Sequence, residues 1–184
     1  MALKATIFRA SVQISDTDRN YYQGHALTLA RHPSETDERM MVRLLAFALH
    51  AHEHLSFGKG LSTDDEPDLW RKDLTGAIEQ WIDVGQPDEK RLRKACGRAN
   101  QVVVYSYGGS GATMWRRHIH DTLARCRNLA VQTVPLAASQ AMAKLASRGT
   151  GAMALTYTIQ DGDVWVANEQ DTVHIKPERM VATK

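Results

Sequence analysis

Residues 64–107 constrain the fold most, because they carry two strand signatures, a helix and a third strand in one run. A Pro67-Asp68 pair opens the first strand, read over 67–73. A second strand is read over 76–84 and ends at the breaker Gly85-Gln86-Pro87. A helix over 87–99 turns Leu92, Ala95, Cys96 and Ala99 inward. The unbroken apolar run at 101–107 then reads as a strand buried on both faces.

The flanking segments extend this into a mixed α/β protein. Residues 3–14 and 20–31 are rich in β-branched and aromatic side chains around the polar turn Asp16–Asn20, the pattern of a β-hairpin. Ser34 caps a helix read over 35–55, with Met41, Leu44, Leu45, Ala48, Leu49, His52 and Leu55 at helical spacing. Glu38 stands at the edge of that apolar stripe. Further on come a helix at 112–127, a strand at 129–134, a helix from Pro135 to 147, and strands at 152–160, 163–168 and 171–176. Asp161-Gly162-Asp163 is the turn between the first two of these.

The 184 residues suit one domain with a real core. With 43% hydrophobic and 24% charged residues and a formal charge of +2, there is no global polyanion signature. The basic residues are nevertheless clustered: Lys90, Arg91, Arg93, Lys94 and Arg98, then Arg116, Arg117, Arg125 and Arg127. Two cysteines, Cys96 and Cys126, make no disulfide framework. No apolar stretch reaches membrane-spanning length and the N-terminus lacks a signal-like apolar region, so a cytoplasmic protein, taken as a monomer, is expected.

One constellation carries chemistry. On the strand at 77–84, Ile78, Gln80, Ile82 and Val84 share one face and Glu79, Trp81 and Asp83 the other. With the first face packed inward, Glu79 and Trp81 look toward a site, where Asp68 from the preceding strand is expected to meet Glu79. Glu38 on the long helix would complete an acidic cluster. Clustered carboxylates repel unless a cation or proton is shared, and an all-oxygen site selects Mg²⁺ or Mn²⁺. Such a metal activates water and stabilises charge on a phosphodiester. The plainer reading gives Pro67-Asp68 to a turn and Glu79 to solvent.

These residues, with Phe8-Arg9-Ala10, Ser34-Glu35-Thr36-Asp37-Glu38-Arg39, Glu66-Pro67-Asp68-Leu69-Trp70, Ile78–Gly85 and Pro87-Asp88-Glu89-Lys90-Arg91, make the chain resemble the YaeQ family over essentially its whole length. That family is similar in fold to the PD-(D/E)xK nuclease superfamily. The resemblance implies a restriction-endonuclease-like core, a central mixed β-sheet flanked by helices, with an N-terminal β-hairpin and C-terminal strands added, all in one domain over 1–184. Carried across, it makes Glu38 the helix acid, Asp68 the motif aspartate and Glu79 the acid of the next strand, with Asp68 and Glu79 holding Mg²⁺ or Mn²⁺. The superfamily's lysine would stand at position 81, where this chain has Trp81. In variant members the cation comes from the following helix, which points to Lys90 or Lys94. Two functions follow: a Mg²⁺-dependent nuclease acting on DNA or RNA, or a non-catalytic nucleic-acid- or protein-binding module on the same fold. Trp81 discriminates between them, since an indole supplies no positive charge.

Other motifs weigh less. His50-Ala51-His52-Glu53-His54 matches a zinc-protease pattern, but between Glu89 and Asp161 the only acid is Asp121, so the further acidic ligand is missing. His52 is read as facing the core and its neighbours as surface. Gly108-Gly109-Ser110-Gly111 follows a strand and opens a helix, a place where backbone N–H groups hold phosphate with help from Arg116 and Arg117; it lacks the lysine and serine of a P-loop. His118 and His120 point in different directions on a helix. Ser106 and Ser110 lack a nucleophile-elbow context. Trp70 and Trp81 are core residues or base-stacking platforms.

Overall fold

The computed structural model describes residues 4–146 and 152–180. In chain order the elements are β1 (Thr6–Asp16), β2 (Tyr21–Arg31), α1 (Asp37–His50), β3 (Leu55–Phe57), β4 (Leu69–Lys72) and β5 (Ile78–Val84). Then follow α2 (Glu89–Arg98), β6 (Ala99–Ser106), α3 (Gly109–His118), α4 (His120–Arg125), β7 (Leu129–Thr133) and α5 (Leu136–Leu145). The last four are β8 (Ala152–Gln160), β9 (Asp163–Ala167), β10 (Thr172–Ile175) and β11 (Glu178–Met180). The predicted ends at residue 3 and residue 147 lie outside the described residues. Among the described residues no helix is long and apolar enough to cross a membrane.

The chain forms two compact units. The first takes the chain up to Leu49 and from Ala137 to Pro177; the second takes His50 to Leu136 and the stretch from Glu178. The first holds a mixed five-stranded sheet ordered β10-β9-β8-β1-β2, with β1 and β8 parallel and the other neighbours antiparallel. The hairpin and the C-terminal strands, expected as additions to one central sheet, thus build a sheet of their own. β1 buries Ala10, Val12 and Ile14 and β8 buries Leu155, Tyr157 and Ile159, the alternation of strands covered on one face. Asp161 and Gly162 both take positive φ, as a two-residue hairpin turn requires, and the Asp18 carboxylate accepts both their N–H groups at 2.7 and 2.9 Å.

α1 differs from expectation at both ends. Thr36 Oγ1 accepts the Arg39 N–H at 3.1 Å, so Thr36 is the cap; the Ser34 hydroxyl lies 2.6 Å from His32 Nδ1 instead. The helix stops at His50, and Leu55 begins β3 by pairing with Arg71 of β4. Helical spacing continues to Leu55 in the sequence, but sheet pairing overrides it. Glu35, buried beside the helix start, binds Arg39 at 2.9 Å and Arg43 at 2.7 Å. The acid-rich signature 34–39 therefore has a structural reason: a buried carboxylate is tolerable only when paired.

The second unit holds a six-stranded sheet ordered β11-β7-β6-β5-β4-β3. β5, β6 and β7 run parallel, joined by α2 and by α3 with α4, while the outer strands pair antiparallel. Trp81, Val102, Val104, Leu129 and Val131 from the strands pack with Leu92, Ala95, Ile119 and Leu123 from the helices. The single helix expected over 112–127 breaks at Ile119, which closes α3, opens α4 and is itself buried.

Candidate functional site

β4 and β5 pair antiparallel with Leu69 opposite Ile82 and Trp70 opposite Trp81. One step further, Asp68 stands across from Asp83. Both are buried, at 2% and 1% exposure. The register therefore does not bring Asp68 to Glu79, which lies four residues from Asp83 along β5, roughly 13 Å away. Glu79 instead pairs with Arg71 at 2.8 Å, both side chains about one-third exposed. Glu38 belongs to the first unit, where its Oε1 accepts the Ser139 hydroxyl at 2.6 Å.

The face carrying Trp81 is not open. β5 is a central strand and its residues from Gln80 to Val84 are all buried. Trp81 is fully buried against α2, in edge-to-face contact with Trp70. Strands joined by parallel crossovers are covered by their helices, so both faces of β5 are core. This corrects the expectation that Glu79 and Trp81 line a cleft, and it removes Trp81 as a base-stacking platform.

The cation that reaches the acids is Arg91. Asp88 caps α2 by accepting the Arg91 N–H at 2.7 Å, which fixes the backbone of the first turn. From there the guanidinium grips Asp83 with two bonds, Nε to Oδ2 and Nη2 to Oδ1, both 2.8 Å. Nη2 also donates to the Glu66 carbonyl at 2.9 Å, and the group lies 5.8 Å from the Trp81 ring centre. The bond to Asp83, with the charges of Asp83, Asp68 and Asp64, raises the Arg91 pKa above its ordinary value despite partial burial. Lys94 is on the same helix but binds the exposed Asp65, whose carboxyl its hydrogen bond and charge hold below the usual range. Lys90 is exposed. Arg91 was missed because the motif calls for lysine; it precedes the inward Leu92 and stands four residues before the inward Ala95, a phase that faces the sheet edge.

Asp68 is enclosed from its other side. Its Oδ2 accepts the Val84 N–H at 2.7 Å. Gly60, at φ +48°, approaches so closely that a Cβ there would lie 2.5 Å from Asp68 Oδ1. Only glycine fits that approach and that dihedral. The Gly58 and Gly60 N–H groups also donate to the carbonyls of Asp68 and Pro67, at 3.0 and 3.2 Å.

These residues do not fit a Mg²⁺ or Mn²⁺ centre as arranged. Both Asp83 oxygens face a guanidinium, and Asp68 is occupied by a backbone N–H and hemmed by Gly60. Among the described residues no group of three or more His, Cys, Asp or Glu is placed to hold a metal. A hard cation needs several open oxygens, whereas here a monovalent, hydrogen-bonding cation stands against the pair.

The remaining motifs resolve similarly. His50, and not His52, makes the inward bonds: its Nε2 lies 2.7 Å from Tyr105 Oη and its Nδ1 3.0 Å from Gln80 Nε2. Because α1 ends at His50, the three histidines do not share a helix. Gly108 caps α3 in the left-handed region, and the helix starts directly from it. Cys96 and Cys126 are free thiols; burial first, then the hydrogen bond with Cys126, pushes the Cys96 thiol up to about 12. Residues 90–127 contain nine Lys or Arg and one acid, Asp121; of the nine, Arg91 and Lys94 pair with Asp83 and Asp65 from outside that segment. Lys90, Arg93, Lys94, Arg98, Arg117 and Arg125 are exposed.

A family model described as YaeQ protein matches residues 1–177. The chain is 41% identical over 175 residues to the YaeQ protein of Escherichia coli K12, covering 95% of each. It is 42% identical over 176 residues to that of Salmonella typhi, covering 96% of each. Among solved structures, YaeQ from Xanthomonas axonopodis pv. citri superposes with a TM-score of 0.90 at 50% identity, over 97% of this chain and 99% of that one. YaeQ from Pseudomonas syringae gives 0.89 at 32% identity, over 97% of both.

Proposed function

The chain belongs to the YaeQ family, and for it we propose binding to the phosphate backbone of nucleic acid without metal-dependent hydrolysis. The observation that supports this reading is the bidentate Arg91–Asp83 pair: both oxygens of the buried Asp83 are held by the protein's own guanidinium. Hydrolysis at such a site depends on a divalent ion and an activated water, and this donor set offers neither a place. Binding depends only on a positive surface. The exposed basic residues of α2 to α4 supply one, with two acids, Glu89 and Asp121, among them.

One feature favours the hydrolytic alternative. Asp68 and Asp83 oppose each other on neighbouring strands, as two motif carboxylates would. Fluorescence anisotropy on labelled duplex and single-stranded DNA and RNA separates the two readings. Binding is expected to survive EDTA and to weaken with salt, by about 0.9 log units per log of salt for each phosphate contacted on a duplex. Lys90→Glu with Arg93→Glu should abolish it, and Mg²⁺ should yield no products. Mg²⁺-dependent cleavage lost in Asp83→Asn would establish the hydrolytic alternative, and no binding to any of these probes would remove both readings.

A further inference from the structure

Arg116, on α3, is half-buried, and its guanidinium bonds are directed to neutral oxygens. Nη1 donates to Thr133 Oγ1 at 2.9 Å and Nη2 to Thr113 Oγ1 at 3.1 Å. The Thr113 hydroxyl itself donates to the Gly109 carbonyl at 3.2 Å, which turns its lone pairs toward the guanidinium. Among the described residues no carboxylate bonds Arg116, so the two hydroxyls fix its position without neutralising it.

That guanidinium borders a cavity of about 270 Å³ that Arg117, His120 and Arg179 also line. The one carboxylate among its described lining residues is Glu178, on β11 opposite Thr133. Three arginines against one glutamate leave a formal charge of +2. Glu178, Arg179 and Met180 pair with Thr133, Gln132 and Val131, so the cavity runs beside the edge strand β11, between it and the junction of α3 and α4. Its volume lies near the lower limit, roughly 300 Å³, of small-molecule pockets, room for a phosphoryl group and the sugar attached to it.

We propose that this cavity binds a phosphate monoester, with Arg116 as the pre-positioned anchor. A monoester carries about −1.5 to −2 charges at pH 7 and three strong acceptor oxygens, which match the surplus charge and the fork geometry of arginine. A diester, with a single charge, fills the site less well. The monoester is either the end of a nucleic acid or a small phosphorylated compound; the recognition chemistry is the same. The inference does not rest on backbone binding, which is tested through Lys90 and Arg93 of α2, although Arg117 belongs both to that exposed basic set and to this cavity.

Calorimetric titration of the full chain with ribose 5-phosphate, inorganic phosphate and ribose tests it. Ribose 5-phosphate is expected to bind one to one and ribose not at all. Arg116→Gln and Arg179→Ala should each weaken binding about tenfold, the loss of one charge-assisted contact. Arg179 is exposed on the edge strand β11, so its variant decides the matter even where Arg116→Gln does not fold. A 5′-phosphorylated oligonucleotide that binds tighter than its 5′-hydroxyl counterpart, by a margin lost in Arg179→Ala, identifies a nucleic-acid end as the source; equal binding of the two identifies the small compound. Equal affinity for ribose and ribose 5-phosphate, or an unchanged affinity in Arg179→Ala, would overturn the proposal.

Discussion

Arg91→Leu separates a buried, closed acid pair from a solvent-screened one. The substitution keeps an apolar stem beside Trp81 and removes the guanidinium that holds Asp83. The two side chains are 18% and 2% exposed, so the pair is far from a surface salt bridge. Breaking a buried pair by removing one partner costs about 3–5 kcal/mol, because the other charge is left without compensation. Arg91 retains some contact with water, which places the expected loss near the lower end, about 3 kcal/mol. In a chain of this size each kcal/mol moves Tm by about 2–4 °C, so a fall of about 6–12 °C is expected. Urea denaturation of wild type, Arg91→Leu, Asp83→Leu and the double variant completes a cycle. The double variant should recover much of the loss, since replacing a whole buried ion pair by apolar groups is often neutral. A loss under about 1 kcal/mol in Arg91→Leu, the range of exposed pairs, would refute the claim that Asp83 is sealed by this arginine.

Four further outcomes concern β5 and the thiol of α2. Glu79→Gln should cost less than about 1 kcal/mol in denaturant and leave nucleic-acid affinity unchanged in anisotropy, because Glu79 makes only a partly exposed pair with Arg71. Trp81→Lys, which restores the residue type of the nuclease motif, should leave little folded protein by circular dichroism. It removes a fully buried aromatic, worth about 3–5 kcal/mol, and sets an ammonium near the guanidinium groups of Arg91 and Arg98. Trp81→Phe should be milder, since the buried indole N–H has no hydrogen-bond partner among the described residues. Cys96 should alkylate slowly: with its thiol pushed up to about 12, the thiolate fraction near pH 8 is roughly a thousandfold below that of an ordinary thiol. Its modification rate, followed by mass spectrometry, should climb as pH approaches 12, and a rate already at plateau near pH 9 would contradict the burial argument.

The succession of elements was legible because periodicity and breakers are local. Pro67, Gly85-Gln86-Pro87 and Asp161-Gly162 mark the ends of strands that the structure contains. What is set by long-range pairing was not. The stop of α1 at His50 comes from Leu55 joining β4, and β3 and β11 are three-residue edge strands whose composition carries no signal. The site shows the same division. Asp68 was legible from its place beside Pro67. Its partner was not, because choosing Asp83 over Glu79 needs the β4–β5 register, and a shift along a strand changes which carboxylate faces which. Arg91 is hidden in the sequence because the motif pattern specifies a lysine, whereas its reach to Asp83 depends on its phase on α2. The alternation of β5 suggests one open face for Trp81, whereas a strand in mid-sheet has none and Trp81 is fully buried.

Arg91 occupies both oxygens of Asp83 beside the buried Asp68, which leaves no open carboxylate pair for a metal. Calorimetric titration of Mn²⁺ into the wild-type protein, alone and with a short DNA duplex, tests it most directly. The prediction is no saturable binding at the pair in either case, the same as in Asp68→Asn/Asp83→Asn. Stoichiometric binding in wild type that disappears in that double variant would show that Arg91 yields the site to a cation, and would contradict the account.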